Sequence, residues 1–164
     1  MKHFIRFIAI IMFVMIFSNC EDGELSLQRI PYTGNDIRMD GYYYKFWSSF
    51  NSASIDNTTA FFLFRNGIIL AAGSFGSINL NDVDEKLLDR YKFLEKQKIG
   101  WGVYNVKGNK IVFEQWTTSV GGGLPVYKDS YNIENDTTLT DPYGGVYHFR
   151  QFSPKPDSTN NFIK

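Results

Sequence analysis

Residues 101–151 read WGVYNVKGNKIVFEQWTTSVGGGLPVYKDSYNIENDTTLTDPYGGVYHFRQ, and runs of β-forming residues alternate in this stretch with turn signals. Trp101 to Val106 ends at Lys107-Gly108-Asn109, and Lys110 to Thr117 ends at a glycine-rich loop. Val126 to Ile133 ends at Glu134-Asn135-Asp136, and Val146 to Gln151 at a proline-rich tail. Thr137 to Thr140 adds a shorter strand ahead of Asp141-Pro142-Tyr143-Gly144-Gly145. Strands joined by hairpin-length turns make one wall of an antiparallel barrel or sandwich. Side chains alternate across a strand. Ile111, Phe113 and Gln115 therefore share one face, and Tyr127, Asp129, Tyr131 and Ile133 share another.

Toward the N-terminus the period changes from two to about 3.6 between Asn81 and Ile99, where Val83, Leu87, Leu88, Tyr91 and Leu94 form one apolar stripe. This predicts one helix, capped by Asn81 or Asp82, ended by Gly100, and laid over an end or side of the sheet. Before it, Phe61 to Arg65 and Ile68 to Ala72 flank Asn66-Gly67, a pair suited to positive φ at both turn positions and hence to a hairpin. Asn51 to Thr59 reads as a polar loop. Gly41 opens a further strand, with Tyr42, Tyr44 and Phe46 on one face and Tyr43, Lys45 and Trp47 on the other. The full set is Gly41–Phe50, Thr59–Arg65, Ile68–Phe75, Trp101–Val106, Lys110–Thr117, Val126–Ile133, Thr137–Thr140 and Val146–Gln151. It predicts an all-β fold, an eight-stranded antiparallel up-and-down barrel with one helix inserted after the third strand. A two-sheet sandwich is the runner-up.

Lys2 and Arg6 precede Phe7 to Phe17, 11 apolar residues without interruption. That run is short of the ~20 residues that span a bilayer and fits the core of a secretory signal peptide. Phe17-Ser18-Asn19-Cys20 resembles the lipobox of bacterial lipoproteins, in the relaxed form found in Bacteroidota. The resemblance implies cleavage before Cys20, acylation of its thiol and new amino terminus, and attachment to a membrane through those chains. Two or three acyl chains hold a protein durably where one does not. Glu21, Asp22 and Glu24 are similar to the acidic signal that sends such lipoproteins to the outer face of the outer membrane. The division expected is 1–19 signal peptide, 20–40 tether, 41–152 barrel and 153–164 disordered tail.

From about Asp40 to Phe152 the layout resembles the lipocalin-like, calycin-type lipoproteins of Bacteroidota. In that superfamily a glycine opens the first strand, an aromatic two residues on lies at the closed end, and an arginine near the end of the last strand stacks on it. Gly41, Tyr43 and Arg150 match those places, so the resemblance implies that they close the barrel.

With 17 basic and 17 acidic residues, the chain lacks the basic stripe that nucleic-acid binding needs. One cysteine excludes an intrachain disulfide and a cysteine metal cluster. After cleavage His148 is the single histidine left, too few for a zinc site or a ready serine triad. Asp84, Glu114 and Asp129 are the carboxylates to watch, although nothing in their spacing marks a pair. The chain reads as a non-enzyme without metal or cofactor. The leading expectation is a lipid-anchored module holding a small apolar or amphipathic ligand among Tyr42, Tyr44, Phe46, Phe113, Tyr127 and Tyr131. The alternative is an envelope interaction protein, an inhibitor, immunity-type or accessory lipoprotein, with a filled barrel and working loops at Asn51–Thr59 and Ser119–Pro125.

Overall fold

Strand β1 (Gly41–Trp47) pairs with β2 (Asn57–Leu63) along one edge and with β8 (Val146–Gln151) along the other, so the sheet closes on itself. Between them run β3 (Ile68–Phe75), helix α1 (Leu80–Leu94), β4 (Trp101–Lys107), β5 (Lys110–Trp116), β6 (Val126–Asn135) and β7 (Thr138–Thr140). Each strand is antiparallel to the next, and the order β1 to β8 is a closed up-and-down barrel. The computed structural model describes residues 22–48 and 55–164. The expected signal peptide, Cys20, Glu21 and the middle of the β1–β2 connection lie outside the described residues.

Two apolar clusters divide the strands by face. One gathers Tyr43, Phe61, Leu63, Ile69, Tyr104, Ile111, Phe113, Tyr131, Leu139 and Tyr147. It draws on all eight strands, and only the lumen touches all eight. The other joins Tyr42, Phe62, Leu70, Trp101 and Trp116 to Val83, Leu87 and Leu94 of α1 and to Phe152. It is the outer face of β1 to β5, covered by the helix and the chain's end. The Ile111/Phe113 and Tyr131/Ile133 faces point inward. For β1 the expected phase is reversed: Tyr42, Tyr44 and Phe46 lie outside, and Tyr43 and Lys45 within.

The N-cap falls two residues before the expected Asn81, and the helix ends at Leu94, short of the expected stop at Gly100. Asn79 is the N-cap, its side chain accepting a hydrogen bond from the Asn81 amide. The β2–β3 hairpin forms at the expected residues with a different turn. Gly67 N–H donates to Phe64 O at 3.0 Å, and only Gly67 has positive φ (82°), as in a type I turn followed by a glycine bulge. The polar loop is shorter than expected, since Asn57 to Thr59 already belong to β2 and Thr58 is fully buried, its hydroxyl donating to Ser77 O at 2.6 Å. Gly41 is required by space: a Cβ there would stand 1.9 Å from the carbonyl oxygen of Arg150 on β8.

Both chain ends depart from expectation. Residues 22–40 are bound to the barrel over most of their length. Gly23 N–H donates to Leu124 O, Ser26 and Leu27 donate to Glu114, Asn105 donates to Gln28 O, and Tyr32 N–H donates to Arg65 O. Ile37 and Met39 then enter the lumen cluster. Residues 153–164 are packed rather than disordered: Pro156 is buried, and Phe162 and Ile163 rest on the outer cluster. Irregular backbone with no period can still be fixed when its amides find partners on a neighbouring sheet.

Candidate functional site

In an up-and-down barrel successive connections alternate between the two ends. One end carries the β2–β3, β4–β5 and β6–β7 turns and the entry to β1; it is closed. Tyr43 OH donates to Asp136 O at 2.9 Å and to Arg38 O at 3.2 Å, and Tyr104 OH to Phe64 O at 2.8 Å. Ile37 and Met39 fill the space between them. Lys155 straps this end from outside, its ammonium donating to Met39 O and to Leu63 O and lying 4.4 Å from the Phe64 ring centre. Burial pulls its pKa down to about 8.

The expected contact between Tyr43 and Arg150 is not formed. Arg150 pairs in register with Tyr42, so it points outward, and its guanidinium meets Asp84 of α1 at 2.5 Å. The cation that reaches the ring beside Tyr43 is Arg38, 4.6 Å from the centre of the Phe149 ring, which in turn meets Tyr43 edge to face. Gly41 opens β1 and Tyr43 lies at the closed end, while Arg150 lies outside the lumen on Asp84.

Toward the other end the lumen changes character. Phe61, Phe113, Tyr131 and Tyr147 form a floor of rings, with Tyr131 and Tyr147 stacked at 5.0 Å between centroids. Their hydroxyls meet at 3.4 Å, and burial raises the Tyr131 phenol well above its ordinary pKa. Two phenols joined by one long bond keep spare hydrogen-bonding capacity, since each has a donor and two lone pairs.

Above the floor, Lys45 donates to Asp141 at 2.6 Å while lying 4.8 Å from the centre of the Tyr147 ring. Burial opposes the Lys45 charge, but Asp141 and Tyr147 together outweigh it and the net shift is upward. Asp141 is buried, yet Lys45 and the amides of Tyr143 and Gly145 hold its pKa down. Gly145 leaves room for this pair, because a Cβ there would come within 2.4 Å of Asp141 and 2.7 Å of the Lys45 ammonium. Across the mouth, Tyr127 OH donates to Asp129 at 2.6 Å.

Of the six residues expected to bind a ligand, Phe113 and Tyr131 lie in this floor and Tyr127 on the rim. Tyr42, Tyr44 and Phe46 belong to the outer face, where Tyr42 OH donates to Asp84 at 2.7 Å. Lys45, Asp141 and Tyr147 belong to the site and were not expected there. The other carboxylates are engaged structurally. Glu114 accepts from Ser26 and Leu27 and pairs with Lys128 at 2.9 Å, while Asp84 holds Arg150. No group of metal-ligating side chains occurs among the described residues.

The described rim of this end, the open end in that no main-chain plug like that of residues 37–40 fills it among the described residues, carries most of the exposed apolar side chains. Among the described residues ten large apolar side chains are exposed, and eight of them belong here. Phe46 and Trp47 end β1, Ile55 precedes β2, and Ile78 follows β3. Val120 lies between β5 and β6, Tyr127 starts β6, and Tyr143 and Val146 flank the end of the β7–β8 turn. Comparison with protein-family models, with curated proteins and with solved structures found no match to this chain.

Proposed function

We propose that this chain is a lipid-anchored, lipocalin-like protein of the outer membrane whose barrel takes a small amphipathic molecule at its open mouth. The observation that carries the reading is the change along the lumen: rings packed under main-chain carbonyls at one end, and a ring floor with Lys45, Asp129 and Asp141 above it at the other. Ligand sites of this kind pair apolar walls with a few placed polar groups. Apolar parts of a guest would rest on Phe113, Tyr131 and Tyr147, and its polar group would compete for the hydroxyls of Tyr131 and Tyr147 or for the Lys45 ammonium. The anchor is Cys20, supported by the apolar run before it.

Native mass spectrometry of the protein released from its own membranes in mild detergent tests both parts. The expected N-terminal peptide begins at an acylated Cys20, and a small molecule is retained by the protein and lost in Lys45→Met but not in His148→Ala. Cleavage at the same site in Cys20→Ser, with detergent partitioning kept, would refute the anchor. The filled closed half of the barrel favours a second reading, a protein partner on the rim. A co-purifying protein in place of the small molecule would establish it.

A further inference from the structure

We propose that the open end of the barrel lies on the bilayer, with Ile78, Val120 and Tyr143 in the headgroup layer, so that the mouth faces the lipid and exchanges its guest with it. This rests on the anchored-barrel reading above and adds an orientation and a source for the guest.

The first support is the distribution of exposed apolar side chains. Val120 and Tyr143 stand almost wholly in solvent, and they sit on two separate connections that share one end of the barrel with Ile78. The opposite end shows Arg65-Asn66-Gly67, Lys107-Gly108-Asn109 and Asn135-Asp136-Thr137 at its turns. Exposed apolar side chains concentrated at one end mark an interaction surface. Isolated aromatic and aliphatic side chains on a polar scaffold suit the boundary between headgroups and acyl chains.

The second support is independent and identifies the occupant. The segment preceding β1 starts at the open end and runs down the outside to the closed end, touching Leu124, Glu114, Asn105 and Arg65 in turn. Its first described residue is pinned at the rim. Asp22 accepts from the Leu124 amide at 2.9 Å and meets Lys98 at 3.1 Å, and Gly23 N–H donates to Leu124 O at 2.9 Å. Two residues of extended chain reach about 7 Å at most, so a lipid carried on Cys20 would be tethered within that reach of Asp22 and its partner Leu124. Acyl chains on Cys20 would therefore enter the bilayer beside the β5–β6 loop. A barrel tethered so closely at this rim brings its apolar side chains to the same surface.

The test uses the full processed protein, reconstituted in phosphatidylcholine vesicles in which part of the lipid carries brominated acyl chains. Trp101 and Trp116 are buried and Trp47 is exposed on the rim, so bromine quenching reports on Trp47. Most of the Trp47 emission should be quenched. The double variant Val120→Asp, Tyr143→Asp should stay on the vesicles through its acyl chains yet lose the quenching, whereas Ile30→Asp, away from the rim, should keep it. Equal quenching in wild type and the double variant, or none in wild type, would overturn the orientation. The mass of the N-terminal peptide reads acylation separately. If acyl chains are absent the anchor reading fails, while quenching of the unacylated chain on the same vesicles still decides the rim. Rim amides protected from exchange by a co-purified protein, with Trp47 unquenched, would also overturn it.

Discussion

At the closed end of the barrel the lumenal phenols donate to main-chain carbonyls, whereas at the open end phenols and charges answer one another. Tyr43 and Tyr104 bind carbonyls of Arg38, Asp136 and Phe64; Tyr131 meets Tyr147, Tyr127 meets Asp129, and Lys45 meets Asp141. A carbonyl in a turn is fixed by the fold and cannot turn to a new partner. Side chains paired with side chains can exchange partners when a guest arrives, and small polar networks respond together. Under the proposed ligand-binding reading, the contrast assigns architecture to one end and recognition to the other.

The contrast breaks first if the packed half is not truly packed. Phe61 sits at the boundary, 5.6 Å from Tyr43, 5.3 Å from Tyr147 and 5.9 Å from Tyr131, ring centre to ring centre. Phe61→Ala should cost about 3–5 kcal/mol, the range for deleting a buried phenyl group. Urea denaturation measures it. A loss under ~1 kcal/mol would mean that the floor tolerates a void, and the two ends would no longer differ in packing.

Glu114 offers a second way to strain the closed end, through the segment that plugs it. Burial alone would raise its pKa, but hydrogen bonds from Ser26, Lys128 and Leu27 hold it at about 2. A carboxylate whose folded pKa lies below its unfolded value stabilises the fold above the unfolded pKa, and that stability is lost as pH falls through the folded value. At about 1.4 kcal/mol per pH unit, the window from ~4.5 down to ~2 corresponds to about 3 kcal/mol. Glu114→Gln should lower stability at neutral pH by about 2–3 kcal/mol and flatten this acid limb. Unfolding curves at pH 7 and pH 3 check both. An unchanged acid limb would show that residues 22–40 are not held by this carboxylate.

The same two ends show what could be read in the sequence. On β6 the outer positions carry Lys128, Ser130 and Asn132 while Tyr131 goes inward. But β5 has Val112 and Trp116 on its outer face and Gln115 beside Phe113 on its inner one, so its phase alone did not decide which face is inside. Strand β1 hid its facing because both sides are buried: Tyr42 lies under α1 and Phe152, Tyr43 under Phe61 and Phe149. A strand covered on both faces has no polar phase to read. One clue was present, since a Tyr43 that closes the barrel must face inward and takes Lys45 with it. Arg150 could not be placed because its partner, Asp84, lies 66 residues earlier on a helix whose docking site no local pattern gives. The segment before β1 was equally unreadable, its order coming from scattered partners such as Glu114 and Asn105.

Lys45 sharpens the comparison at the open end. Lys45→Met removes a cation from Asp141, which keeps the amides of Tyr143 and Gly145. The pair is partly solvated, with a quarter of the Lys45 side chain exposed. The expected loss is about 1–2 kcal/mol, below that for a fully buried ion pair. Thermal unfolding measures the loss, and native mass spectrometry should show the guest disappearing while the fold persists. A loss matching that of Phe61→Ala would make Lys45 part of the architecture.

The smallest effect on stability is expected at the rim itself. Val120 and Tyr143 make no contribution to either apolar cluster and are almost fully exposed, so truncation removes little contact and opens no cavity. Surface changes of this kind alter stability by about 0.5 kcal/mol or less. The pair Val120→Ser, Tyr143→Ser should therefore leave the unfolding free energy within ~0.5 kcal/mol of wild type in detergent-free buffer, measured on the chain from Asp22 onward. The Tyr143 amide still donates to Asp141 in the variant, since that bond uses the main chain. The loop that holds Lys45 should thus remain in place, and any retained guest should remain bound. A clear loss of stability would mean that these side chains fold back onto the barrel, and the rim would join the closed end as architecture. A neutral result leaves their exposure without a structural role and makes the surface they meet, rather than the fold, the reason for valine and tyrosine at the tips of these loops.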